Sequence, residues 1–208
     1  MDGTTKVFML VTLLISLMSG ACTGKSGKRE VNVYPIPQKV ELSGDWIKIP
    51  DTGYRLEGIS HTDTDAVNLL KQSFLITEKA KQAITIRPLG KMNNKMQRSG
   101  AYTLAVTGKG IDIGIYDDRS LFYAAQTLSQ LTRDNKRIPV CTIWDYPDVV
   151  FRGVVEGFYG TPWSFENRVE QLRFYGRMKM NTYIFGPKDD PYHRSPYWRV
   201  PYPEEQAK

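Results

Sequence analysis

The sequence predicts an α/β protein in two parts: a small sheet-and-helix domain over residues 31–145, then the start of a second, strand–helix–strand unit over residues 146–208. Three observations carry this. Between 31 and 145, short apolar runs bounded by Pro, Gly and Ser-Gly turns alternate with two stretches of helical period. From 151 onward two apolar runs, FRGVV and NTYIF, flank a single helical segment. Ahead of both, an apolar stretch preceded by Lys6 and followed by small residues has the order of an export signal.

That first stretch defines residues 1–22 as a signal peptide. The apolar run 7–18 is shorter than the ~20 residues a membrane span needs. Ser19, Gly20 and Ala21 lead directly to Cys22, which resembles the lipobox of bacterial lipoproteins. The expectation is a mature chain beginning at a lipidated Cys22, with residues 23–30 as a polar tether; the alternative is ordinary cleavage near Ala21 and secretion without lipid. Either way the chain is expected to be exported, to the periplasm or, as an outer-membrane lipoprotein, to the surface of a bacterium. If Cys22 carries lipid, Cys141 is the only other cysteine and no intramolecular disulfide forms. Cys141 lies in the alternating run VCTIW and reads as a buried thiol.

Composition narrows the function classes. The chain has 208 residues, 41% hydrophobic and 24% charged, which is globular rather than disordered. Its net charge of +6 is spread along the chain, with one short cluster at Lys25, Lys28 and Arg29. Nucleic acid is therefore not the expected partner, since phosphate-dominated binding needs basic residues gathered on one face. No P-loop, GxGxxG or zinc-type spacing occurs, and no metal or organic cofactor is implied.

In chain order, VNVYPIPQKVEL and DWIKIP read as two short strands separated by a Ser43-Gly44 turn. Residues 62–75 place Ala66, Leu69, Leu70 and Phe74 on one helical face, with Asp63 and Asp65 in the first turn. Strands AITIRP, AYTLAV and IDIGIYD follow, the last two joined by the hairpin-like TGKG. A helix over 120–132 carries Leu121, Ala124, Ala125, Leu128 and Leu131 on one face; VCTIWDYP is the last strand. No catalytic constellation stands out here, and the default role of this domain is support.

In the second part, FRGVV is a strand, EGFYGTPWS a loop, 166–178 a helix with Ser164 as N-cap, NTYIF a strand, and GPKDDPYHR a loop. Two strands joined by one helix form a right-handed parallel unit, so both loops emerge at the same sheet edge. In barrels of eight such units, that edge carries the active site.

Phe158, Tyr159, Trp163, Tyr192, Tyr197 and Trp198 suit the apolar faces of a sugar, or else brace the loops. Gly157 lets backbone approach a ligand and offer its carbonyl, or is only a turn glycine. Lys188 reads as a donor to a sugar hydroxyl or as a partner of Asp189 or Asp190. The consecutive aspartates are a candidate acid/base pair, but an Asp-Asp-Pro turn also uses its carboxylates to cap backbone N–H groups.

RGVVEGFYGTPWS, YGRMKMNTYIFGPKDDPYHR and WRVPYP resemble the opening of the catalytic barrel in family 84 glycoside hydrolases, the O-GlcNAcase and hyaluronidase-like β-N-acetylglucosaminidases. The resemblance covers about residues 146–203, and the part before it is similar in organisation to the family's preceding α/β domain. It implies a TIM (β/α)8 barrel, of which this chain holds only the first β–α–β. It also implies N-acetylglucosamine-bearing glycans or glycoproteins as substrates and a substrate-assisted retaining mechanism, in which the 2-acetamido oxygen attacks the anomeric carbon. In that family the catalytic aspartates sit on a later strand's loop, so Asp189 and Asp190 are not that pair and no catalytic residue is assigned. Gly157, through its carbonyl, and Lys188, through its ammonium, are the implied substrate contacts. The expectation is an inactive N-terminal fragment; the competing reading is a non-catalytic carbohydrate-binding exported lipoprotein.

Overall fold

A computed structural model describes residues 31–58, 64–132, 136–194 and 196–207. The signal peptide, the tether and Cys22 lie outside the described residues. The first strand is β1 (Lys39–Lys48), a single bulged strand rather than two. Its register against its neighbour shifts between Leu42 and Trp46, where Gly44 has φ +89°. The Ser43-Gly44 signal was therefore a bulge, which inserts extra residues and bends a strand without ending it.

There follow β2 (Tyr54–Glu57), α1 (Thr64–Ser73), β3 (Gln82–Pro88), a 3-10 turn (Asn94–Met96), β4 (Tyr102–Thr107), β5 (Gly110–Ile115), α2 (Asp118–Leu131) and β6 (Arg137–Asp145). The short β2 was not legible in the sequence. These strands form one six-stranded sheet in the order β1-β6-β4-β5-β3-β2. β2, β3 and β5 run parallel; the β5-β4, β4-β6 and β6-β1 pairs are antiparallel. TGKG makes the expected β4-β5 hairpin, pairing Thr107 with Gly110.

Strand residues alternate by face. Ile84 and Ile86, Leu104 and Val106, Ile111 and Ile113, and Cys141 and Ile143 are buried, joined in the core by Leu70 and Phe74 of α1 and Leu121 and Leu128 of α2. Burying such aliphatic side chains is each worth ~1.5–3 kcal/mol against exposure, before ordering entropy is subtracted. Asp117 caps α2 by accepting from Ser120 N at 3.0 Å, while the Ser120 hydroxyl completes the capping box. Cys141 is buried in β6, and burial pushes its thiol up to about 11.

The chain then forms β7 (Gly153–Glu156), α3 (Phe165–Arg177), β8 (Thr182–Phe185) and a terminal turn, α4 (Glu204–Ala207). β7 and β8 are parallel, with Gly153 opposite Thr182 and Glu156 opposite Phe185. Gly153 has a reason to be glycine: a Cβ there would lie 1.6 Å from the Thr182 carbonyl oxygen. Ser164 caps α3, accepting from Asn167 N at 3.3 Å. The apolar side of this unit is open, with Val155, Ile184, Phe165 and Leu172 all exposed.

Residues 31–207 are tied together by side chains across the two sheets. Arg152, just before β7, donates to Tyr123 Oη of α2 at 2.7 Å and to the Lys179 carbonyl at 3.1 Å. Lys179, after α3, reaches back to Asp145 at the end of β6.

Candidate functional site

The site is built at the ends of β7 and β8. Parallel pairing carries past both strands: Gly186 N donates to the Glu156 carbonyl at 2.9 Å, and Lys188 N to the Phe158 carbonyl at 3.0 Å. Gly160 N donates to Asp189 Oδ2 at 2.6 Å. The two loops are thus neighbours, stitched together by three hydrogen bonds.

Beneath them lies a group that the sequence reading passed over. Glu156, the last residue of β7, is fully buried. Its carboxylate accepts from Arg168 Nε at 2.8 Å, Arg168 Nη2 at 3.0 Å, Trp163 N at 3.2 Å and the Tyr183 hydroxyl. A buried glutamate persists only when paired in this way. It joins loop one, α3 and β8 at one point. Burial pushes the Glu156 carboxyl up, but the Arg168, Tyr183 and Trp163 hydrogen bonds outweigh that and hold it below its ordinary value. Burial and Glu156 push the Tyr183 hydroxyl up to about 12. The available signal was an acid directly after an apolar run, with an arginine twelve positions on in the following helix.

Asp189 and Asp190 are both engaged with backbone. Asp189 holds Gly160 N, and Asp190 Oδ1 accepts from Tyr192 N at 2.8 Å and His193 N at 3.0 Å, the geometry of an Asx turn. Asp190 is 8% exposed.

Lys188 forms no ion pair with either aspartate among the described residues. Its Nζ instead sits 4.4 Å from the ring centroid of Tyr159. Tyr159 is exposed, and Arg194 first, then Lys188, draw its hydroxyl pKa below the ordinary value. No described residue donates a hydrogen bond to the Gly157 carbonyl. The site therefore presents one unused carbonyl acceptor and one exposed ammonium on adjoining loops. Phe158 and Trp163 brace each other with ring centroids 5.3 Å apart; Tyr192 packs on Tyr197 at 5.6 Å and on Tyr202 at 5.1 Å.

A cavity of about 740 Å³ opens between Phe165, Arg168, Tyr183, Phe185, Asp190 and Tyr202. Gly157 and Lys188 do not line it. Among the described residues no three His, Cys, Asp or Glu side chains gather where they could hold a metal.

An α/β domain feeding a parallel β–α–β unit places aromatic and polar loops together at one strand edge, where parallel α/β folds build their ligand sites. The comparisons make this specific. Residues 30–146 match the family model for glycosyl hydrolase family 20, domain 2, and residues 152–208 match that for β-N-acetylglucosaminidase. The chain belongs to the glycoside hydrolases, as an O-GlcNAcase-like member of family 84 preceded by a family 20-type domain 2. Over 56 residues it is 50% identical to the protein O-GlcNAcases of Rattus norvegicus and Mus musculus, a match covering 27% of this chain and 6% of each relative. Of solved structures, CpGH84B is similar with TM-score 0.72 and 32% identity, over 85% of this chain and 33% of its own. CpGH84D is similar with TM-score 0.73 and 27% identity, over 86% of this chain and 34% of its own. The chain thus spans about a third of these solved relatives.

Proposed function

We propose that this chain is part of an exported β-N-acetylglucosaminidase that removes terminal N-acetylglucosamine from glycans or glycoproteins. The β7–α3–β8 unit is read as the first β–α–β of a (β/α)8 barrel, and its loops as one wall of the sugar site. The observation that carries this is the stitched loop pair, which holds the free Gly157 carbonyl and the exposed Lys188 ammonium on one edge, within the segment that resembles β-N-acetylglucosaminidases.

In the proposed chemistry the substrate's 2-acetamido oxygen attacks the anomeric carbon as the glycosidic C–O bond breaks and the leaving oxygen takes a proton from an acid. Water then opens the resulting oxazoline. The internal nucleophile is effective because no entropy of bringing reactants together remains to be lost. The Gly157 carbonyl accepts from a sugar hydroxyl and Lys188 donates to one, fixing the ring for attack. The acid and the group polarising the acetamido N–H come from elsewhere, because Asp189 and Asp190 are committed to backbone N–H groups.

The test compares aryl β-N-acetylglucosaminide hydrolysis by this chain with that by the product of a reading frame followed past Lys208. Turnover by the longer product alone is expected. Hydrolysis by the 208-residue chain itself would make Asp189 and Asp190 the leading acid/base pair and overturn the reading.

A further inference from the structure

At the far end of β7 from the sugar loops, the linker between the two sheets lines a second concavity, of about 330 Å³. Three guanidinium groups from three different elements line it: Arg98 after the 3-10 turn, Arg119 in the first turn of α2, and Arg152 before β7. Asn94 and Gln97 add polar side chains, the Ser99 hydroxyl is already bonded to Asp117 just outside the lining, and the one carboxylate in the lining is Asp148.

The charges do not cancel. Asp148 is already bound by Gln38 Nε2 at 2.7 Å. Arg152 is used structurally, donating to the carbonyls of Val149, Val150 and Lys179 and to Tyr123 Oη. Arg98 makes one long bond, 3.4 Å to the Pro147 carbonyl, and stands 5.0 Å from the Tyr146 ring centroid. Arg119 is exposed, with no hydrogen bond or ion pair among the described residues. Two guanidinium forks therefore face the concavity with most donors unused, beside a third positive charge and one partly used carboxylate.

We propose that this seam is a binding site for a tetrahedral oxyanion, a sulfate or phosphate ester. Arginine forks present paired N–H donors at the spacing of such oxygens, and a bound dianion relieves the repulsion among three cations held in one concavity. Asp117 already caps α2 by accepting from Ser120 N, so the side chains rather than helix amides supply the donors. Gly157 lies five positions beyond Arg152, roughly 16 Å along an extended strand. The site is therefore distinct from the sugar loops and stands whether or not the glycosidase reading holds.

The experiment titrates the 208-residue chain with inorganic sulfate and phosphate against chloride at matched ionic strength, by calorimetry and by thermal denaturation. Variants are Arg119→Ala, Arg98→Ala, Arg119→Lys and, on the distant β4-β5 hairpin, Lys109→Ala as control. Wild type and Lys109→Ala should bind alike, and each Arg→Ala variant about tenfold more weakly. Arg119→Lys should fall between, keeping charge but losing the fork. Arg119 is exposed, so its loss should leave the fold intact. Equal stabilisation of every variant would be the general salting effect of these anions and would overturn the proposal. Methyl sulfate and methyl phosphate, which carry no sugar for the Gly157 and Lys188 loops, then separate the two sources: the ester that binds more tightly names the ligand, and failure of both overturns the assignment of an ester.

Discussion

Lys179 Nζ lies 2.7 Å from Asp145 Oδ2, in a cluster closed by the Tyr102 hydroxyl, itself 2.6 Å from the Thr127 hydroxyl. The pair joins the turn after α3 to the end of β6. The backbone at Lys179 makes the pairing costly, because φ is +58°, a conformation normally left to glycine. Lys179 N bonds to the Gly176 carbonyl and Met180 N to the Tyr175 carbonyl, a Schellman end with lysine where glycine usually stands.

Magnitudes decide why lysine is there. Left-handed backbone costs a lysine roughly 1–2 kcal/mol, whereas removing one partner of a buried ion pair costs ~3–5 kcal/mol. Lys179→Gly should therefore relieve strain and still destabilise the chain by about 2 kcal/mol, read as a lower urea midpoint. Lys179→Met should cost more, keeping the strain and losing the pair, and adding Asp145→Asn should recover part of that loss. A Lys179→Gly chain as stable as wild type would show that the ion pair contributes no more than the roughly 1–2 kcal/mol of strain it offsets.

Glu156 supplies an acid-sensitive lock under the sugar loops. Its carboxyl stays ionised in the folded chain at pH values where the unfolded chain, near its ordinary pKa of about 4.3, has taken up a proton. The unfolded state then binds more protons, so stability is present above that pKa and is lost as pH falls through the lower folded value. Glu156→Gln should lose about 2–4 kcal/mol at neutral pH, leaving Arg168 without its carboxylate, and show a shallower acid limb. Denaturation at pH 3, 4, 5 and 7 checks both; parallel acid limbs would remove Glu156 from the account.

How much of this was legible follows from the range of each interaction. Helices α2 and α3 and strands β3 to β8 were readable because period and turn chemistry are local, and Ser164 announced its own cap. The joining of the two loops was readable from chain geometry alone, since parallel strands bring their ends to one edge. The bulge in β1 was misread because a Ser-Gly pair signals a turn unless a neighbouring strand, here β6, supplies the register that carries the chain through it. Glu156 with Arg168 and Lys179 with Asp145 were missed for one reason: each is a long-range pairing of charges, and in sequence a charge reads as solvated surface.

For export, Cys22→Ser is the discriminating change. If Cys22 carries a lipid, the wild-type chain expressed with its leader in a bacterium should partition with membranes and incorporate labelled palmitate, and the variant should do neither. A single exposed cysteine in a soluble tether would give the same soluble fraction for both.

The loop pair makes a contrast between neighbours in sequence. Lys188 is exposed and rests on Tyr159, so Lys188→Ala should leave the thermal midpoint nearly unchanged. If its ammonium donates to a sugar hydroxyl, affinity for N-acetylglucosamine should fall by about tenfold, the worth of one charge-assisted hydrogen bond. Asp190→Ala should behave in the opposite way. It removes the acceptor for Tyr192 N and His193 N at a residue 8% exposed, where water reaches poorly, so stability should drop by about 1–3 kcal/mol while sugar affinity falls only as far as the loop loosens. Calorimetric titration with N-acetylglucosamine beside a denaturation curve separates the two. A Lys188→Ala chain that binds the sugar as wild type does would remove the ammonium from the site and leave the Gly157 carbonyl as the only polar contact assigned to these loops.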